Sequence, residues 1–382
     1  MAEDPSLFVV HAERDFIRNT PLNFTNTVTA ILSMGGQALN KELYHFMKPT
    51  GRTVSVSAFV QQRDKILPEA FDDAFHEFND QTDFLDTQRY EGYKLYAVDG
   101  SDVVFAANPL SEAYRKTQNY NMYHMNAMYD VLNHTYKDLI IEPKPSYSEP
   151  RSCWKMAERS LRSEKCIILC DRGYGGANLF EHLNRIPGVE YLVRVKNNLF
   201  KEMYDLPYEE LDTVISFELR TTQRNIDKEE FAAGNAKWVA GHGKYRVRKN
   251  TTWDFESPFR MRLRVVRIHI GDGEDPQDYE TIVTSLDRFQ FPLQKIKELY
   301  HLRWGIETSF RELKYALGLI NFHARKDKFI KQEIYAHFLM YNYCEHCHER
   351  RYSAGCRKQV GIYREPYDGC PHLSGLLPTS QL

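Results

Sequence analysis

Three acidic residues stand where acids do chemistry. Asp99 follows the apolar run Leu95-Tyr96-Ala97-Val98, and Asp171 follows Cys166-Ile167-Ile168-Leu169-Cys170. Each opens a glycine-containing turn, Gly100-Ser101 and Arg172-Gly173-Tyr174-Gly175-Gly176. In α/β sheets, such strand ends border the crevice where ligands bind. The third acid, Glu307, lies inside a predicted helix over residues 293–318. At roughly 100° per residue, Tyr300, Arg303, Glu307 and Lys314 fall within about 60° of arc, with Trp304 and Arg311 at its edge. The neighbouring face carries Leu302, Ile306, Leu313 and Leu317, which suits packing on a sheet. Convergent carboxylates bind hard divalent cations. Two such cations about 3.5–4 Å apart can activate a nucleophile and stabilise a leaving oxygen in phosphoryl transfer. Arg303 and Lys314 are then candidates for holding backbone phosphates, and Tyr300 for donating a hydrogen bond to one. Singly, these residues have plainer readings. A strand-end Asp is usually a turn residue or cap, and Glu307 with Arg303 or Arg311 is an i,i+4 ion pair. The combination carries the chemical reading.

The elements that must position these residues can be read in outline. Residues 24–78 read as mostly helical, broken at Pro49-Thr50-Gly51. Ser57 is expected to cap a short helix over 58–66 that carries Gln61, Gln62, Arg63 and Lys65 and ends at Pro68. The strand ending at Asp99 comes next, then two strand-like runs within 125–143 and a helix around 154–161. The run 166–170 is apolar throughout, as in a strand buried on both faces. Residues 191–195 form a further strand. Residues 197–287 are charged and alternate in polarity, and read as a β-rich insertion inside an α/β core. A second helix is expected over about 328–349.

Composition narrows the function classes. In 382 residues, apolar side chains make up 42% and aromatics 13%, enough for a sizeable core. No stretch approaches the ~20 apolar residues of a membrane span, and the first residues lack a signal-peptide pattern. A soluble, cytoplasmic (nucleoid-associated) protein is expected. Seven cysteines argue against a secreted disulfide scaffold. The net charge of −2 and pI near 6.7 argue mildly against a nucleic-acid partner. An acidic metal site and acidic surface segments can nevertheless mask local basic patches.

Tyr300-x2-Arg303-x3-Glu307-x6-Lys314 resembles the YREK signature of bacterial cut-and-paste DDE transposases of the fourth insertion-sequence family. Val98-Asp99-Gly100-Ser101 and Cys170-Asp171-Arg172-Gly173-Tyr174 resemble that family's two aspartate motifs, and the likeness covers roughly residues 20–345. The resemblance implies an RNase H-like catalytic core (89–196 and 288–350) with a β-rich insertion (197–287) and an N-terminal helical region (1–88) that binds DNA ends. It implies Asp99, Asp171 and Glu307 as catalytic ligands of two Mg²⁺ or Mn²⁺ ions. Tyr300, Arg303 and Lys314 would contact phosphates near the cut, with Arg311 beside them. Gln62 and Arg63 are the candidates for contacting the terminal inverted repeats. The implied partners are those repeats, target DNA and a second copy of the chain, each subunit binding one end and cutting the other. In this family a water first nicks the element's end, and the freed 3′-hydroxyl then attacks the opposite strand and later the target.

The tail departs from that pattern. After about residue 354 the helical periodicity gives way to Gly, Pro, Cys and Tyr. Residues 351–382 read either as a disordered terminus or as a stretch in a shifted reading frame. In the second case the copy is an impaired element. Cys344-x2-Cys347 with His346, His348, Cys356 and Cys370 invites a zinc reading, but the spacing is loose and the first pair falls in a helix. Incidental or buried thiols fit better. Two rival functions stay open: a nuclease of the same fold without strand transfer, and an inactive or domesticated remnant that only binds DNA.

Overall fold

The computed structural model describes residues 4–355, apart from 19, 162–163, 220–228, 230–232, 234–236, 240–245, 249–252, 254, 256–258 and 271–277. The tail after 355 therefore lies outside the described residues, with Cys356 and Cys370, and the reading-frame question with it.

Four helices lead the chain: α1 (Phe24–Leu32), α2 (Leu39–Met47), α3 (Val56–Arg63) and α4 (Glu69–Thr82). The cap of α3 is Ser55, whose hydroxyl accepts from the Ala58 N–H, so the helix begins two residues earlier than the pattern around Ser57 suggested. Phe24, Ile31, Leu43, Phe59 and Phe71 form a small core of their own, closed by Ala336 from a distant helix.

The middle of the chain builds the sheet. Its first strands are β1 (Lys94–Phe105), β2 (Tyr114–Arg115), β3 (Tyr120–Asp130) and β4 (Thr135–Pro143). Then come α5 (Glu149–Ser160), β5 (Cys166–Cys170), α6 (Ala177–Asn184) and β6 (Val189–Val195). Further strands are β7 (Leu211–Leu219), β8 (Lys237–Val239), β9 (Arg246–Arg248), β10 (Phe259–His269) and β11 (Tyr279–Thr284). The chain ends in α7 (Leu293–Leu302), α8 (Gly305–Arg311), a π-helical turn (Glu312–Ala316) and α9 (Asp327–Gly355).

Nine strands form one mixed sheet in the order β2-β3-β1-β5-β6-β11-β10-β7, with β4 paired to β3. β1, β5 and β6 are parallel, and the other neighbours are antiparallel. The β-rich segment does not stand apart from the core. Its β7, β10 and β11 continue the central sheet beyond β6, and β8 pairs with β9 in a separate two-stranded ribbon.

Helices cover both faces. Leu95, Ala97, Ile167 and Leu169 face a core built with Ile296 and Leu299 of α7, Ile306 and Phe310 of α8, and Ile334 and Phe338 of α9. Tyr96, Val98, Ile168 and Cys170 face the opposite core, with Met156 of α5 and Phe180 of α6. The fully apolar β5 thus follows from burial on both faces. No helix among the described residues is long and apolar enough to cross a membrane.

Two expectations about the site elements need correction. The first strand does not stop at Asp99. It continues to Phe105 because β3 pairs with it along that whole length, and only its parallel pairing with β5 ends, at Val98. The expected helix over 293–318 is also not continuous. At Arg303 and Trp304 the N–H groups bond three residues back, to Tyr300 and His301, and the chain re-enters a helix at Gly305. The register widens after Arg311, where the Leu317 N–H reaches back to Glu312. Such π turns recur at functional sites.

Candidate active site

Strand pairing brings the two aspartates together. Val98 is the register partner of Cys170, so Asp99 and Asp171 follow side by side at the point where β1 loses its parallel neighbour. Adjacent strands lie about 4.8 Å apart. Side chains alternate along a strand, and Leu95, Ala97, Ile167 and Leu169 all point to the α7–α9 face. By the same alternation Asp99, and Asp171 just beyond β5, fall on that face.

Each aspartate is braced by a glycine N–H close after it. Asp99 accepts from the Gly100 N–H at 2.8 Å, and Asp171 accepts from the Gly173 N–H at 2.6 Å as cap of a short 3-10 turn. Burial pushes the Asp99 carboxyl up to about 6; the Gly100 N–H and Arg303 oppose the rise, and the negative charges of Asp171 and Glu307 add to it. The three acids are thus electrostatically coupled through Asp99, and the negative charge there is incompletely compensated.

Glu307 sits in the first turn of α8, where its carboxylate meets Arg303 at 2.9 Å. The Arg303 side chain is only 4% exposed and that of Glu307 is 39% exposed. The guanidinium also lies over the Trp304 ring at 4.9 Å and the Tyr300 ring at 5.7 Å. Tyr300 is buried, and its hydroxyl, near Arg194, has no aligned hydrogen bond among the described residues. Lys314, half-buried in the π turn, donates to the carbonyl of Asp102 at 2.9 Å and ties that turn to β1. Arg311 is exposed, as are Trp304 and Tyr315. The expected stripe is therefore split: Tyr300 and Arg303 are buried beneath Glu307, and Arg311 stands in solvent.

Arg63 requires a correction. It is 1% exposed, and its guanidinium donates to Gln332, to Glu333 and to the Phe329 carbonyl, all on α9. A guanidinium used up inside the protein has nothing left for a DNA phosphate. Its place in the sequence, on a short polar helix, concealed this because α9 is some 270 residues away. Gln62, half-buried, accepts from Lys65.

Carboxylates are the right donors for a divalent cation, and the uncompensated charge on Asp99 is what a cation would relieve. Among the described residues, though, no three His, Cys, Asp or Glu side chains stand close enough to hold an ion as they are. The strand register sets Asp99 and Asp171 next to each other, whereas an oxygen of Glu307 is engaged by Arg303. Cys344 and Cys347 both lie on α9.

Sequence reasoning missed a second polar group, on the other face of the same strand ends. Asp102 lies opposite His124 in the β1–β3 register, and their side chains meet at 2.6 Å. Lys144 reaches the same Asp102 oxygen at 2.9 Å, and Glu149 approaches the far side of the His124 ring at 3.1 Å. No spacing signals this cluster, because strand pairing assembles it.

Residues 90–343, which contain all three acids and the whole nine-stranded sheet, match the family model described as the transposase DDE domain. No curated protein sequence matches the chain. Among solved structures, the chain is similar to a piggyBac transposase in a synaptic complex with hairpin DNA, at 11% identity and a TM-score of 0.42. That likeness covers 88% of this chain and 66% of the other, slightly less than two thirds of its length.

Proposed function

The chain belongs to the family of transposases with a DDE domain, and on that premise we propose that it cuts the ends of an insertion sequence and joins the freed 3′-hydroxyl to target DNA. Asp99, Asp171 and Glu307 are its proposed catalytic acids. The observation that carries this reading is the Val98–Cys170 register, which sets two aspartates side by side on the sheet face where α8 carries Glu307.

The order β4-β3-β1-β5-β6, three antiparallel strands followed by two parallel ones, with α5 and α6 as the crossovers, supports an RNase H-like core. Asp99, Asp171 and Glu307 would hold two Mg²⁺ or Mn²⁺ ions. Bound there, the ions would supply Lewis-acid charge for in-line displacement at phosphorus. In the first step a water oxygen bonds to phosphorus and the 3′-oxygen of the element leaves with a proton. In the joining step that 3′-oxygen attacks a target phosphorus and displaces a target 3′-oxygen.

The chain's own groups do the positioning. Arg303 fixes the Glu307 carboxylate from below. Lys314 anchors the π turn to β1 through Asp102. Arg311, exposed one turn beyond Glu307, is the proposed phosphate contact. Gln62 remains the proposed contact to the inverted repeats on α3. A homodimer, each subunit cutting the end held by its partner, completes the reading.

A DNA duplex carrying the element's terminal repeats, incubated with target DNA and Mg²⁺, tests it. Joined 3′-ends are expected. Cleavage without joining would identify a nuclease, and end binding without cleavage would identify a remnant that only binds DNA.

A further inference from the structure

Glu149 opens α5, on the sheet face opposite Glu307. Its two carboxylate oxygens lie beside two different glycines, Gly100 of β1 and Gly173 of the turn after β5. A methyl group built on Gly100 would stand 2.9 Å from Oε1 of Glu149, and one built on Gly173 would stand 2.9 Å from Oε2. Gly100 follows Asp99 and donates its N–H to that carboxylate. Gly173 belongs to the turn that Asp171 caps and donates its N–H to Asp171. One carboxylate thus fills the space beside both glycines whose N–H groups brace the aspartates.

Glu149 is itself held. His124 Nε2 stands 3.1 Å from Oε1, an ion-pair distance without hydrogen-bond alignment. The other ring nitrogen meets Asp102 at 2.6 Å, Lys144 meets Asp102 at 2.9 Å, and Tyr147 packs on the His124 ring at 4.2 Å. The His124 side chain is 4% exposed. The ring also fills the space behind Gly100, where a methyl group would come within 2.4 Å of Nε2. The hydroxyl of Tyr174, fully buried, has no hydrogen-bond partner among the described residues; burial pushes its phenol well up, and the charges of Asp99 and Glu149 act in the same direction.

We propose that Glu149, steadied by His124, is a positioning residue that sets the separation of the β1 backbone at Gly100 and the turn at Gly173, whose N–H groups brace Asp99 and Asp171. The proposal rests on the reading of those aspartates as cation-binding acids. The plainer role of an acid in a helix's first turn, favourable interaction with the helix dipole, would leave the aspartates' separation unchanged. Groups outside the ligand set that orient it are typically worth 10–100-fold in metal affinity or activity.

Two measurements on the full chain test it. The first is Mn²⁺ binding followed by electron paramagnetic resonance. Glu149→Ala and Glu149→Asp, which withdraws both oxygens by one methylene, are expected to weaken binding roughly 10–100-fold. The isosteric Glu149→Gln should stay within about threefold of the parent, since the same two atoms fill the same two gaps. The second needs no metal and reads thermal unfolding. Gly173→Ala should lower the melting temperature, and Glu149→Ala should remove most of that penalty in the double variant. Such a coupling is diagnostic of contact. If Glu149→Ala and Glu149→Asp bind Mn²⁺ like the parent while Asp99→Asn loses it, the positioning role is overturned; additivity of the Gly173 and Glu149 changes also overturns it. If the coupling is found but Asp99→Asn binds Mn²⁺ unchanged, the bridging contact stands and the metal reading of the aspartates fails.

Discussion

Arg303 and Glu307 are joined at 2.9 Å across the break between α7 and α8, the arginine buried and the glutamate half in solvent. On the proposed function, the pair would compete with a cation for the Glu307 carboxylate and would also orient it.

Arg303→Lys separates those two effects. Lysine retains the charge but lacks the planar fork. Cleavage should fall by about tenfold or more through loss of orientation, with Mn²⁺ affinity unchanged or raised a few-fold because the competitor is weaker. A parallel tenfold loss of Mn²⁺ affinity would show that Arg303 assists cation binding instead.

Asp99→Ala, Asp171→Ala and Glu307→Ala should each abolish metal-dependent cleavage. Several kcal/mol of transition-state stabilisation are at stake, which corresponds to at least about a thousandfold in rate. Binding of the terminal repeats, measured by gel shift without metal, should persist. Normal cleavage by any one variant removes that residue from the site.

Arg63 and Glu333 make a buried pair at 2.8 Å that ties α3 to α9. Removing one partner of such a pair typically costs about 3–5 kcal/mol. Arg63→Ala should therefore unfold at markedly lower denaturant concentration. A variant as stable as the parent but defective in binding DNA ends would restore Arg63 as a DNA contact.

The same cluster sets a pH response. Burial pushes Glu333 upward, but hydrogen bonds from His323 and the charge of Arg63 prevail and hold it at about 2, below its ordinary 4.5. A depressed acid stabilises the fold above 4.5, and that contribution disappears as pH falls toward 2. The shift amounts to roughly 3 kcal/mol. For His323, burial lowers the value, but Glu333 more than offsets it and raises the imidazole above 6.5. Its contribution is full below 6.5 and is lost as pH rises through the raised value. Urea unfolding of Glu333→Gln should lose most of the acid-side slope between pH 4.5 and 2; an unchanged slope would count against the assignment.

Asn342 joins three elements: it donates to Asn79 of α4 at 2.7 Å and to the Tyr136 carbonyl of β4 at 2.8 Å, and it accepts from the Tyr136 N–H at 2.7 Å. Asn342→Leu takes this partner from the Tyr136 N–H and the Asn79 side-chain oxygen, while the Tyr136 carbonyl keeps its bond from Asn79, and should cost about 1–3 kcal/mol per stranded group. A loss below about 0.5 kcal/mol would mean that water replaces the amide.

The local pattern was legible wherever short-range physics decides it. The apolar run of β5, bounded by Lys165 and Asp171, matches its element residue for residue. The stop of β1 was misread because a turn-like Asp99-Gly100-Ser101 stays extended when β3 supplies the ladder. The helix over 293–318 kept its apolar phase in Ile306 and Leu313, but not its continuity, since periodicity is blind to a tightened turn followed by a π turn. Arg63 looked available because its partners lie far along the chain.

By itself, the order of residues determined the candidate acids, the place of Asp171 at a strand end and of Glu307 on a helix, and the alternation that sends Asp99 and Asp171 to one face. Those properties depend on neighbours in sequence. Tertiary structure alone decided that β1 and β5 are adjacent, that Arg303 holds Glu307, that Arg63 is sealed against α9, and that Glu149 lies beside both Gly100 and Gly173. Each of these depends on which distant segments pack together, and the free energy of that packing belongs to the assembled chain as a whole.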